Sequence, residues 1–142
     1  MATSNAATTY LENKLLSFLF KNNAGSLTTP GNSIYIGLAT AVADAEAGTL
    51  TEATFGAYAR QQVTAANWTL ASSSTDQQTV TNAANIEYAA STGTSNTVTH
   101  AFIADAASSG NILFVGALDA SKTIATGDIF RINAGNLTIE LK

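Results

Sequence analysis

Short runs of apolar residues, mostly alternating with polar ones, recur along this chain, and the densest pair lies between Asn96 and Leu118. There N-T-V-T-H-A-F-I-A-D is followed by A-A-S-S-G and then by N-I-L-F-V-G-A-L. Two β-rich runs around a short polar segment containing Gly110 predict a hairpin. The second run is apolar at almost every position from Ile112 to Leu118, which predicts a strand covered on both faces, or one with a face in a subunit contact. Further strands are expected over 33–40 (Ile34, Ile36 and Leu38 on one face), 58–64, 68–71, 77–81, 85–89, 122–125, 129–132 and 137–141. Thr29-Pro30-Gly31-Asn32, Thr126-Gly127-Asp128 and Asn133–Asn136 carry the turn chemistry between them. No repeat of fixed period is visible. The pattern predicts an all-β chain with one N-terminal α-helix, built as a jelly-roll-like antiparallel β-sandwich of about eight strands.

The helix is expected near the start. Leu11, Leu15, Leu16, Phe18 and Leu19 place most of their side chains on one helical face. Thr9-Tyr10-Leu11-Glu12 fits a capping box with Thr9 as N-cap, and Lys21, Asn22, Asn23 and Gly25 suit the other end. Residues 1–8, small and polar, read as a flexible arm. The chain thus divides into arm and helix (1–25) and a β-sandwich (26–142). The helix either caps an open end of the sandwich or uses Tyr10, Leu11 and Phe18 to contact a neighbouring subunit. Residues 41–55, with Asp44, Glu46 and Glu52, read as a long loop of the kind that often binds something.

Composition narrows the function. The 142 residues suffice for one domain with its own core. There is no Cys, which removes disulfides, thiolate zinc sites and Cys nucleophiles. Only 11% of residues are charged, with a net charge of −4 and six scattered Lys and Arg. Phosphate backbones have no basic patch to meet, so a nucleic-acid partner is not expected. No apolar run is long enough for a membrane span, and the opening residues have no signal-peptide pattern. A surface of Thr, Ser, Asn and Ala, poor in long charged side chains, suits contact with other proteins.

Catalytic, cofactor and metal sites find no support. His100 is the single histidine, and no neighbour in sequence supplies a nucleophile or orienting carboxylate, so it reads as a structural or interface residue. Glu87 and Asp105 would have to approach it in space. One His without Cys offers little to a metal, and Asp44, Glu46 and Glu52 lack the spacing of a calcium loop. Phosphate-binding glycine motifs and a nucleophile elbow are both missing. Trp68 reads as core, or else as an interface or sugar-stacking ring. Arg60, a rare basic residue on an expected strand, should pair with a carboxylate or cross an interface. Together with Tyr58 these residues complete the candidate interface set.

Several segments resemble a family of tailed-phage virion structural proteins. Tyr10-Leu11-Glu12-Asn13-Lys14-Leu15-Leu16 is similar to the family's Y-L-E-N-x-L-L opening. Ser33–Thr40 resembles its next segment, and Gly56-Ala57-Tyr58-Ala59-Arg60 its G-x-Y-A-R motif. Thr97-Val98-Thr99-His100, then Asp105-Ala106 and Gly110-Asn111-Ile112-Leu113, resembles its T-V-T-H…D-A…G-N-L-L signature, and Gly127-Asp128 with Leu137-Thr138-Ile139 its ending. The resemblance implies a virion component. The polar arm, helix and long loop favour a capsid cement or decoration protein bridging subunits of the major capsid protein, and the resemblance implies a homotrimer. The alternative is a small tail, baseplate or fibre-associated protein, with possible binding of a host glycan.

Overall fold

In the computed structural model, residues 6–21, 34–72 and 78–141 are described. In chain order they form β1 (Ala6–Ala7), α1 (Thr9–Phe20), β2 (Tyr35–Asp44), β3 (Thr49–Glu52), β4 (Gln61–Gln62), a 3-10 turn (Ala65–Asn67), β5 (Trp68–Ser72), β6 (Gln78–Asn82), β7 (Ile86–Glu87), β8 (Asn96–Ala104), β9 (Ile112–Ile124), β10 (Arg131–Ile132) and β11 (Thr138–Leu141). All pairings are antiparallel. The β-rich class with one N-terminal helix is the architecture found. The expected turn at 29–32 and the boundary at 25/26 lie outside the described residues.

The main sheet runs β1-β9-β8-β2-β3, with β4 on the same edge of β2 as β3. Smaller sheets, β5-β6-β11 and β7-β10, complete it. The β8–β9 hairpin is the expected one, closed by Asp105, whose carboxylate accepts hydrogen bonds from the Asn111 backbone and side-chain amides, both at 2.7 Å. Gly110 takes φ +71° there, and a Cβ would stand 2.5 Å from the Asp105 Oδ1. Only glycine serves both demands.

Three expectations are corrected. Residues 41–55 are not one long loop: β2 continues to Asp44, and a tight turn returns as β3, with the Asp44 carboxylate accepting from the Ala47 N–H at 3.1 Å and Gly48 at φ +68°. The fragment at 122–125 falls on the far end of β9, which pairs with β8 on both sides of a bulge. The bulge between them explains this continuity: Val98 pairs with Lys122 but His100 with Ala117, so Leu118–Ser121 loop out of the ladder. At that irregularity the alternation of β8 slips as well, so Val98 and Phe102 fall in different core clusters. Finally, residues 6–8 of the expected arm belong to the sheet, with Ala6 and Ala7 paired to Val115 and Phe114.

The main sheet is packed on both faces. Ile36, Leu38, Val98, Ala101 and Ile103 meet Phe55, Ile86, Tyr88 and Ile132 on one side. Ala39, Phe102, Ala104 and Val115 form a thinner cluster with Ala45 on the other. β9 contributes to both, as its apolar run predicts. An aromatic ladder crosses the larger core: Phe55 meets Tyr58 edge-on, Tyr58 stacks on Tyr88 at 6.0 Å, and Tyr88 meets Phe130 edge-on.

Candidate functional site

Gly56, Tyr58 and Arg60 converge on one lock at the edge of the main sheet. Between β3 and β4 the edge of β2 has a gap at Leu38, and the Tyr58 hydroxyl fills it. It accepts from the Leu38 N–H at 2.9 Å and donates to Glu52 Oε1 at 2.8 Å. A side chain thus stands where a strand would supply a carbonyl. Arg60 grips the same carboxylate, Nε to Oε1 and Nη2 to Oε2, both at 2.8 Å. Its Nη1 donates to the carbonyls of Ala106 at 2.9 Å and Ser109 at 2.8 Å, tying the β8–β9 turn to the sheet edge. Gly56 lets the backbone close on the opposite loop: its N–H donates to Gly93 at 2.6 Å, and a Cβ would lie 2.6 Å from the Gly93 nitrogen.

The electrostatics follow from burial. The Arg60 side chain is 5% exposed. Burial alone would raise the Glu52 carboxyl, but the hydrogen bonds from Arg60 and Tyr58, with the Arg60 charge, hold it below its ordinary value. Burial, with the Glu52 carboxylate beside it, pushes the Tyr58 phenol well above its ordinary range. Each polar group of the lock has a partner within the chain, and together they brace the sheet edge.

The second feature is α1. Its N-cap is Thr8, one residue before the expected Thr9. Thr8 continues the β1 pairing, with its N–H on the Leu113 carbonyl at 2.9 Å and its hydroxyl donating to the Ile112 carbonyl at 2.6 Å. This holds it extended, so Thr9 becomes the first helical residue and Glu12 falls one place beyond the capping-box position. No residue of the helix is buried. Leu11, Lys14 and Ser17 are half-buried and form its inward edge. Tyr10, Leu15, Leu16, Phe18, Leu19 and Phe20 are 39% to 77% exposed. A surface helix ordinarily turns its apolar stripe inward; α1 shows most of its own to solvent.

The candidate interface residues therefore separate. Tyr10 and Phe18 are exposed on α1, and Leu11 lies on its inward edge. Tyr58 and Arg60 are spent within the lock, Arg60 having found its carboxylate in Glu52. Trp68 is half-buried and packs against the larger core. His100 is half-buried, with Nδ1 2.8 Å from the Thr99 hydroxyl, and burial lowers its pKa. The two carboxylates considered for it are engaged elsewhere, Glu87 with Arg131 and Asp105 with Asn111. Among the described residues, no group of three or more His, Asp or Glu could hold a metal ion, and no helix is long and apolar enough to cross a membrane. Sequence reasoning missed Glu52 as the hub of the lock and Leu15, Leu16, Leu19 and Phe20 as exposed surface. A signal for the latter was present, since Lys14 and Ser17 occupy what became the inward edge.

Comparison with curated proteins returns no match. The family model of the podophage GP4 fiber I protein gp80 matches residues 6–140, all but the ends of the chain, with every residue of the lock and all of α1 inside the match. This agrees with the tailed-phage resemblance of the sequence motifs. The chain is a phage virion structural protein and belongs to the family of the podophage GP4 fiber I protein gp80.

Proposed function

We propose that this chain is a non-enzymatic, fibre-associated component of the phage virion, held there by contacts with other virion proteins. The observation that carries the reading is the fibre-family match over residues 6–140. That match favours the fibre or tail over the capsid-cement placement expected from the polar arm and long loop. The arm and loop arguments also weaken in the structure, where residues 6–8 and 41–52 are largely built into the main sheet. A scaffold role is supported by the lock, in which the carboxylate, phenol and guanidinium are consumed in bracing the sheet edge. A glycan-binding role gains no support from Trp68, whose ring packs on the core.

The test is placement on the particle. Purified virions are separated into head and tail–fibre fractions, and the chain is quantified in each by mass spectrometry and located with gold-labelled antibody. Enrichment in the tail–fibre fraction is the expected result. Recovery with the heads, in numbers matching the capsid lattice, would restore the cement reading.

A further inference from the structure

We infer that β5 is a pairing edge, and that it joins the β5 of a second copy of this chain in an antiparallel, two-fold contact. Among the described residues no strand covers its outer side, since β5 ends the sheet in which β6 and β11 follow. One hydrogen bond fixes which backbone groups that edge presents. The Ala83 N–H donates to the Asn67 carbonyl at 2.8 Å, so residues 67, 69 and 71 turn their backbone groups to β6. Trp68, Leu70 and Ser72 turn theirs outward. The Trp68 N–H is spent on the Ala65 carbonyl in the turn before the strand. The Leu70 N–H and carbonyl, flanked by the Trp68 carbonyl and the Ser72 N–H, form the template that another strand recognises.

Folded chains ordinarily protect such edges with a charge, a proline, a bulge or extreme shortness. The other described edges follow that rule. β3 is broken by register shifts against β2, and β11 carries Glu140. β1, β4, β7 and β10 are two residues long. β5 departs from it. Its five residues read Trp-Thr-Leu-Ala-Ser, without charge or proline, and they pair with β6 without a register shift.

Leu70 supplies the apolar half of the contact. It stands in register with Val80 and, through it, Ile139, on the face that it shares with Trp68. Trp68 and Ile139 pack against the larger core, whereas Leu70 is 73% exposed. The outward groups also select the partner, because they are centred on Leu70. The antiparallel register that uses most of them sets Leu70 opposite its own copy. Each Leu70 N–H then donates to the other Leu70 carbonyl, and each Ser72 N–H to the other Trp68 carbonyl. The two Leu70 side chains become neighbours on one face and cover each other, with Trp68 on the diagonal. No like charges meet across the axis, as self-pairing demands. The contact is isologous and closes at two copies. With one strand from each copy it belongs among the weak interfaces.

The experiment uses the full chain, its mass measured by sedimentation equilibrium from about 5 to about 500 µM, a range that reaches weak association. The mass should rise from monomer toward dimer. Leu70→Lys places a charge on the edge, and Leu70→Pro removes an outward N–H and none that serves β6. Both variants, with circular dichroism unchanged, should have a dissociation constant raised at least ~10-fold; if the proline disturbs the fold, the lysine carries the test. The chain has no Cys, so one introduced thiol reports proximity. Across the axis the two Cα atoms of residue 70 lie about 5.5 Å apart, within disulfide reach. Under mild oxidation Leu70→Cys should therefore link into dimers at least ~10-fold faster than Thr138→Cys, which is exposed on the opposite edge strand. A chain monomeric at every concentration, a dimer that Leu70→Lys leaves intact, or equal linking of the two cysteine variants overturns the inference. Assembly beyond two copies that Leu70→Lys abolishes would seat β5 on a different strand and overturns it too. So does a monomer that captures another virion protein along β5.

Discussion

The guanidinium of Arg60 lies over the ring of Phe102, 5.0 Å from its centroid. Below that ring, Gly37 is the cross-strand partner of Phe102 in the β2–β8 ladder. The three form a layer in which a glycine without a side chain gives the ring its bed and a charged plane covers the top. Glu52 and the β8–β9 turn then hold the guanidinium in place. The thinner of the two cores is thereby closed by an ion pair where a hydrophobic layer is missing.

Gly37→Ala tests the bottom of that layer. A Cβ at this position would stand 2.2 Å from the Phe102 Cζ, with both neighbouring ring carbons under 3 Å. A ring wedged beneath Arg60 has nowhere to go, so the substitution should destabilise by about 1–3 kcal/mol, the usual range for overpacking. Phe102→Leu in the same chain should recover part of that loss. The measurement is a double-mutant cycle from urea denaturation; additive losses would show that glycine and ring do not share the strain.

Arg60→Met tests the top. It leaves the Glu52 carboxylate with the Tyr58 hydroxyl as its remaining side-chain donor, and takes the Arg60 donor from the Ala106 and Ser109 carbonyls. Breaking a buried pair costs about 3–5 kcal/mol, and partial exposure of Glu52 places this case at the lower end. Amide exchange should quicken over 105–111. The pH dependence has a definite sign. Glu52 titrates below its ordinary value in the folded chain, so its contribution to stability is present above the unfolded carboxylate pKa of about 4.3 and is lost as pH falls through the folded value. Arg60→Met should flatten that acid limb.

The hairpin at 96–118, the strands near 68, 78 and 138 and the single helix were legible because each rests on local pattern: alternation, turn residues or a 3.6-residue period. What escaped depends on distant pairs. Glu52 looks like a loop carboxylate until Arg60, eight residues on, folds back to it, and β3 has too few apolar residues to announce itself. Residues 58–64 read as a strand, yet only Gln61–Gln62 pairs as one, because Tyr58 fills the ladder with its side chain. The bulge at Leu118–Ser121 hid the length of β9 because its polar residues end the apolar run. In the helix, periodicity identified a stripe but not which way it turns, since that is decided by the anchor at Thr8.

Tyrosine titration reads the lock from the alkaline side. Burial raises the pKa of Tyr88, with the charges of Tyr58 and Glu52 adding to it, and burial likewise raises Tyr58. A group whose folded pKa lies above its unfolded one contributes stability below the unfolded value and loses it as pH rises toward the folded value. Stability should therefore fall once pH exceeds the ordinary phenol pKa of about 10. Tyrosinate absorbance should show two phenols that ionise only as the chain unfolds. Tyr58→Phe removes one of them. It also leaves the Leu38 N–H without its acceptor, at a cost of about 1–3 kcal/mol in neutral solution. If Tyr58 ionised at its ordinary pKa in the folded chain, the hydroxyl bridge would be disproved.

Thr8 and Thr9 provide a paired test of how α1 is mounted. Thr8 is 1% exposed, and its hydroxyl both accepts the Leu11 N–H, at 3.4 Å, and donates to the Ile112 carbonyl, at 2.6 Å. Thr8→Val keeps the shape and removes both bonds, so it should cost about 1–2 kcal/mol. Thr9 is exposed in the first helical position, and Thr9→Ala should change stability by less than about 0.5 kcal/mol. Because α1 packs few side chains on the body, the Thr8 loss should appear locally before it appears globally. Amides of 11–20 should exchange faster and protease should cut within the helix, while the β8–β9 amides keep their protection. The reverse order, a costly Thr9→Ala and a silent Thr8→Val, would put the cap at Thr9 and detach the helix from the β9 anchor described here.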